Sequence, residues 1–335
     1  MRFIPDLLRT LTKQTFQDFT VLLIDNGSTD GIEAFIKKEY PQIAFLRNAR
    51  NLGFCGAHNQ GIRYVLEHWK MEDWHDRFIL ITNPDIILTP TFLEGLMKEV
   101  DLYPSVGAFG GKLRRAFGEQ VEDEVSRETI QSDLIDSTGL RTHKNYSFTD
   151  RGAGEMDTGQ YDQQREVFGL SGALVLYRAS ALADVRYQEE IFDHDFFAYK
   201  EDVDLAWRLQ QAGWSARYVP EALAFHYRGM YGKEQSGFFA RIKNRYAKSR
   251  IRSYYSNRNQ WLLLIKNLRL LNAFIASPRI FCLEFCRLLY TVFFETKNLR
   301  GFWDATSLLP RMIKKRLHAK KHRRRSAKEL RQWFS

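Results

Sequence analysis

The chain has 335 residues, 44% of them hydrophobic and 27% charged, with 25 Phe, 15 Tyr and 7 Trp, which is material for one large domain plus an extension or for two ordinary domains. This composition excludes disordered and collagen-like classes, and three cysteines without metal spacing exclude a disulfide framework and a zinc site and fit a reducing compartment. The net charge of +10 is unevenly spread: Ser236 to Ser335 holds roughly 24 Lys and Arg against 4 Asp and Glu, which leaves the first 235 residues at about −10. An acidic body suits a bound cation or a cationic transition state, and a basic, aromatic-rich tail suits an anionic partner.

In chain order, Pro5 to Lys13 predicts a helix, with Pro in the first turn and Leu7, Leu8 and Leu11 on one face. Phe19 to Ile24 predicts a strand buried on both faces, followed by the polar turn Asp25-Asn26-Gly27-Ser28. A helix over Gly31 to Tyr40, a strand over Ile43 to Leu46 and a helix over Cys55 to Trp69 follow. Next come the strand Phe78 to Thr82, the turn Asn83-Pro84-Asp85 and a helix over Thr91 to Val100. The alternation argues for an α/β sheet. Arg115 to Gln164 is polar and weakly periodic and reads as a long excursion with short strands. Order returns with a strand over Gly169 to Leu176, a helix near Ala179, a helix over Asp202 to Ala212 ended by Gly213, and a strand over Ala216 to Val219. Beyond about Lys233 the chain is helical and basic. The segment Arg311 to Phe334 reads as an amphipathic basic helix or a frayed tail. No N-terminal apolar h-region is visible, and Ile280 to Phe294, the best spanning candidate, is broken by Glu284 and Arg287.

In open α/β sheets ligands gather at the carboxyl ends of strands. Asp25-Asn26-Gly27-Ser28, Asn83-Pro84-Asp85 and the segment reaching His226 all end strands, where carboxylates grip a nucleotide or a divalent metal. Each taken singly also reads as a turn or a helix cap. Glu201-Asp202-Val203-Asp204 opens a helix. Asp202 there is a cap or a base, and Asp204 with Arg208 is a helical ion pair or part of the site. His226 is a core histidine or a ligand, and Trp207 belongs to the core or to an acceptor wall. The role of His58 stays open.

Taken together, DNGSTDG, NLGFCGAHNQGI, NPDIIL, SGALVLYRASAL, FFAYKEDVDLAWRLQQAGW and AFHYRG, in this order, resemble the inverting family 2 glycosyltransferases of the GT-A fold, especially their rhamnosyltransferase-like branch. The likeness covers about Pro5 to Gly229, and weakly Arg258 to Leu268. It implies a Rossmann-like, mostly parallel sheet flanked by helices. It places Asp25, Asn26, Ser28, Asn51, Gly53, Asn59 and Asn83 at a nucleoside-diphosphate sugar carrying dTDP or UDP. Asp85 and His226 would hold Mg²⁺ or Mn²⁺, and Asp202 would act as base with Glu201 beside it. Gly172, Trp207 and Arg208 would line the acceptor. The donor sugar is rhamnose or, alternatively, UDP-linked galactofuranose, galactose or N-acetylhexosamine, and the acceptor is a glycan or a lipid-linked glycan. A catalytically silent GT-A scaffold is the reading from another class.

One departure stands out: relatives begin with an apolar strand before the first helix, and here that strand is missing. The expected organisation is a GT-A domain over 1–232 and a basic helical extension over 233–335. For the extension an anionic membrane surface, a solvated or oligomer face and nucleic acid compete. The lipid-linked acceptors of the family favour the membrane, and no nucleic-acid module accompanies the charge. The expected location is therefore cytoplasmic, on the inner face of the cytoplasmic membrane, with a second copy of the chain left open as a partner. A cut near Arg311 is expected to release the chain from anionic vesicles without destroying chemistry.

Overall fold

The apolar runs become strands and the amphipathic stretches become helices in the computed structural model, which describes residues 1–118, 129–227 and 250–334. Helix α1 (Ile4–Thr12) buries Leu7, Leu8 and Leu11, as their spacing requires. Strand β1 (Leu22–Asp25) pairs in parallel with β2 (Ala44–Arg47) across α2 (Ile32–Glu39). Helix α3 (Gly53–His68) then leads to β3 (Phe78–Thr82), β4 (Ile86–Leu88) and α4 (Phe92–Val100).

The larger sheet also takes β5 (Val106–Gly118), β6 (Thr129–Ser137), β9 (Glu166–Val167), β10 (Leu174–Arg178) and β11 (Ser215–His226). Its order is β3-β10-β5-β11-β4, with β6 on β5 and β9 on β11. A small hairpin of β7 (Leu140–Thr142) and β8 (Phe148–Asp150) stands apart. The sheet is mixed where a mostly parallel one was expected: β10 is antiparallel to β3 and β5, and only β11 runs parallel to β5. The polar excursion explains this, because β6 folds back along β5 and the chain re-enters the sheet in the opposite sense. Strands β1 and β2 form their own two-stranded sheet, and β3 ends the larger one.

Helices α5 (Ala179–Asp184) and α6 (Glu201–Gln211) cover the sheet. The expected boundary at 232/233 lies outside the described residues. Beyond it come α7 (Arg250–Asn267), α8 (Leu270–Phe294), α9 (Arg300–Ser307), α10 (Leu309–Lys321) and α11 (Ala327–Gln332). The frayed alternative for Arg311 to Phe334 is overturned, since Met312, Leu330 and Phe334 are buried. Phe334 stacks on Tyr146 and packs against Trp207. Part of the tail's charge is paired with the preceding domain. Arg324 makes paired bonds of 2.8 and 2.9 Å to Asp184, and Lys315 bonds Glu190, Asp193 and Asp195. A cut near Arg311 would therefore remove core residues and a buried cation, and the expectation that it spares chemistry is withdrawn. Among the described residues no helix is long and apolar enough to cross a membrane. All three cysteines are free.

Candidate active site

Residues 197 to 200 bend in a way that side chains resist: Phe197, Tyr199 and Lys200 all have φ between 62° and 70°. Left-handed backbone at non-glycine residues costs about 1 kcal/mol or more each, so something must hold it. The holder is Asn259 on α7, fully buried, whose amide donates to the carbonyls of Phe196, Ala198 and Tyr199 at 2.7 to 2.9 Å. Opposite, Gly53 (φ +73°) lies so close to Phe197 that a β-carbon would meet its ring at 2.5 Å, which only glycine avoids.

This bend delivers the first turn of α6. Asp202 accepts a bond from the Gly172 N–H at 3.0 Å and one from Val203 N–H at 2.8 Å. A β-carbon on Gly172 would crowd the Asp202 side chain at 3.1 Å, so the small residue serves the carboxylate directly. Burial, opposed by the Gly172 N–H and aided by Asp150, raises the Asp202 carboxyl above its usual range, toward that of a working base. Glu201 is different. It is 7% exposed, its Oε2 has no hydrogen bond, and burial with the neighbouring Asp202 charge holds its carboxyl well above the ordinary value.

A short backbone path joins Asp202 to the other carboxylate cluster. Gly172 precedes Ala173, whose carbonyl accepts from Asn83 N–H at 2.8 Å, and Asp85 follows two residues later. The Asp85 Oδ1 lies 3.4 Å from His226 Nε2, and His226 Nδ1 is 2.8 Å from Asp136 Oδ2. Burial works against a charged imidazole, but Asp136 and then Asp85 outweigh it and push His226 up to about 9. The residues fit a divalent cation. Asp85 offers an accessible carboxylate, and Asp136 orients the ring as metal-bound histidines require. Among the described residues no group of three or more His, Cys, Asp or Glu is placed to hold a metal ion, so a cation on Asp85 and His226 would need phosphate oxygens and water to complete its shell.

On the donor side, Asp25 ends β1 almost buried. Its Oδ1 accepts from Ser28 N–H at 3.0 Å, and its Oδ2 has no hydrogen bond, with Arg47 Nε at 3.5 Å. A cleft of about 400 Å³ lined by Ser28, Thr29, Glu33, Lys37 and Arg47, among others, opens beside it. The Asn26 amide donates to Asn51 Oδ1 (3.0 Å) and to Gly53 O, and its carbonyl accepts from Leu52 N–H. Its side chain therefore pins the loop that leads into α3. Asn51 in turn accepts from Gly53 N–H at 2.8 Å.

Three expected contacts turn away from the cleft. Asn59 is buried, and its amide bonds the backbone of Ile191 and Phe192. Trp207 is core, packed among Tyr146, Phe148, Phe168 and Phe334. Arg208 donates to Asp204 at 2.9 Å and to the carbonyls of Val185 and Ile191, so the ion-pair reading holds and no nitrogen remains for an acceptor. His58 is half-buried, with its ring lowered to about 4 by desolvation, and is neutral.

Sequence reading missed Asp136 and Asn259. Asp136 lies in the aperiodic excursion, at the register shift between the pairs Leu113–Ser137 and Arg114–Ile135. Asn259 lies in the weakly matched RNQWLLLIKNL, whose polar residues within an apolar run were the available signal. Asp136→Asn is expected to weaken Mn²⁺ binding by about 10- to 100-fold. In the parent chain Mn²⁺ must displace a proton from His226, so affinity should rise about tenfold per pH unit between pH 6 and 8. Calorimetric titration at three pH values checks both.

The family pattern for Glycosyl transferase family 2 matches residues 2–186, and that for Glycosyl transferase family group 2 matches residues 137–307. The chain is 31% identical over 224 residues to an N-acetylglucosaminyl-diphospho-decaprenol L-rhamnosyltransferase of Mycobacterium tuberculosis, spanning 66% of this chain and 70% of the relative. It is 29% identical over 214 residues to Rhamnosyltransferase WbbL of Escherichia coli, spanning 62% and 74%. The fold is shared with GalNAc-T7, solved with UDP, GalNAc and Mn²⁺, at a TM-score of 0.53 and 11% identity. That match covers 79% of this chain and 45% of the other. The mixed sheet, the strand-end carboxylates and these matches agree: the chain belongs to glycosyl transferase family 2.

Proposed function

We propose that the chain transfers rhamnose from a dTDP- or UDP-linked donor to a glycan or lipid-linked glycan, with inversion, on the inner face of the cytoplasmic membrane. The sugar is suggested by the two rhamnosyltransferases above, one of which is named for a diphospho-decaprenol acceptor. The observation that carries the reaction type is the path from Asp202 through Gly172, Ala173 and Asn83 to Asp85 and His226. It sets a raised carboxylate on one side of a site and a cation-binding pair on the other.

In the transfer, an acceptor hydroxyl oxygen forms a bond to the anomeric carbon as the bond to the diphosphate oxygen breaks. The hydroxyl proton passes to the Asp202 carboxylate, which the Gly172 N–H keeps aimed. Asp85 and His226 would hold Mg²⁺ or Mn²⁺, which when bound neutralises the departing diphosphate. The hydrogen-bond-free Oδ2 of Asp25 suits the imide N–H of thymine or uracil, and Ser28 and Asn51 border the same end of β1. The test is incubation of the full chain with dTDP-rhamnose, Mn²⁺ and an N-acetylglucosaminyl diphospholipid. A rhamnosylated product of inverted anomeric configuration supports the reading. Retained configuration, or no product with any of the donors considered, overturns it.

A further inference from the structure

Helix α8 is built inside out. The positions buried against the protein are polar or small: Asn272, Ala276, Glu284 and Thr291 are all 5% exposed or less. The positions that face away are large and apolar: Leu270 and Phe274 are each 80% exposed, Phe281 71% and Phe293 72%. A helix packed on an ordinary domain in water shows the reverse pattern, with its apolar stripe inward. Trp303 of α9, 76% exposed, and Leu317 of α10 add to the exposed apolar residues of the extension. Large apolar side chains exposed in this number along one helix mark a contact surface.

The charge pattern selects what covers it. From Leu270 to Ser335 there are 15 Lys and Arg against 4 Asp and Glu. Arg279, Lys297 and Arg300 flank the apolar residues and are exposed, as are Lys314, Lys320 and Lys321 on α10. Two copies meeting through this face would bring like charges together, whereas an anionic lipid surface neutralises them. Spanning is excluded by Arg279, Glu284 and Arg287 within the helix, and no described helix is apolar enough to cross a bilayer. At 1.5 Å per residue its 25 residues reach about 37 Å, long enough to lie along a leaflet.

The inner side of α8 carries an ion pair, Arg287 bonded to Glu284 at 2.7 Å. We propose that α8 lies in the plane of an anionic membrane, its Phe- and Leu-rich face among the acyl chains. The membrane contact stands on the helix itself and not on the transferase reading.

The experiment uses the full chain and vesicles of equal parts phosphatidylglycerol and phosphatidylcholine, compared with Phe274→Ser/Phe281→Ser/Phe293→Ser. All three side chains are exposed, and circular dichroism with transfer to a water-soluble acceptor checks that the variant folds. The expected result is vesicle partitioning weakened by about a hundredfold with soluble-acceptor transfer unchanged. Brominated lipid should also quench emission that Trp303→Phe removes. Wild-type partitioning by the triple variant overturns the proposal, as does a parent chain that ignores vesicles. So does binding that high salt abolishes without any Trp303 quenching, which is surface attraction alone. A dimer that the triple variant dissociates would assign the face to a second copy. Vesicle insertion as expected, with no transfer to either acceptor, would overturn the transferase reading and leave the membrane contact standing.

Discussion

Asp202→Asn is expected to lower kcat by about a thousandfold while the donor KM changes by less than about threefold. The carboxylate accepts from Gly172 and Val203 N–H groups, and an amide can keep one of those bonds but cannot take the acceptor's proton. No neighbour replaces it. Glu201 is buried, with its carboxyl held well above the ordinary value by burial and the Asp202 charge, and Asp204 is fully buried among Arg208, Lys266 and Asn267. Steady-state kinetics with nucleotide release as the readout, alongside donor binding by calorimetry, separates the two effects. Loss of less than tenfold would remove Asp202 from the role of base.

Lys266→Met is expected to destabilise the chain by about 3–5 kcal/mol, and Lys315→Met by a similar amount. Lys266 donates to Asp193 at 2.7 Å and to Asp204 at 2.8 Å, with all three side chains 3% exposed or less. Lys315 completes the cluster from α10. Burial would raise both carboxyls, but the lysines override it and hold Asp193 and Asp204 below their usual range. Groups with depressed folded values stabilise above their unfolded pKa and lose that contribution as pH falls through the folded one. The deficit of the variants should therefore be full near pH 7 and should shrink below about pH 4, as the stranded carboxylates protonate. Urea denaturation at pH 7 and near pH 3 measures it. Equal deficits at both values would show that lost packing, and not stranded charge, is responsible.

The two predictions concern one assembly. Asp193 and Asp204 flank the bend at residues 197 to 200, and Asn259 and Lys266 reach them from α7. The basic extension is thus part of what holds the base in place. Its exposed apolar residues, on α8, are those of the proposed membrane contact.

Strands at FILIT and GALVL and the helix over EDVDLAWRLQQ were legible because period and turn residues agree locally. The strand-end carboxylates Asp25, Asp85 and Asp202 were legible for the same reason, since each follows an apolar run or opens a helix. What escaped was everything set by distant pairing. The sense of β10 depends on where the excursion returns, and Asp136 reaches His226 across 90 residues of sequence. Lys266 and Lys315 read as surface charge in a basic tail, although they are buried cations, because single-residue charge carries no sign of its partner. Trp207 and Arg208 sit next to the base in sequence, yet on a helix consecutive residues face different ways, and these two face the core.

The central claim is a metal-assisted donor site built from Asp25, Asp85 and His226. Calorimetric titration of dTDP and UDP into the full chain, once with Mn²⁺ and once with EDTA, tests it most directly. The account predicts stoichiometric binding of one of these nucleotides with Mn²⁺ and a loss of at least about tenfold in EDTA. Binding of equal strength in EDTA, or none by a folded sample in Mn²⁺, would contradict it.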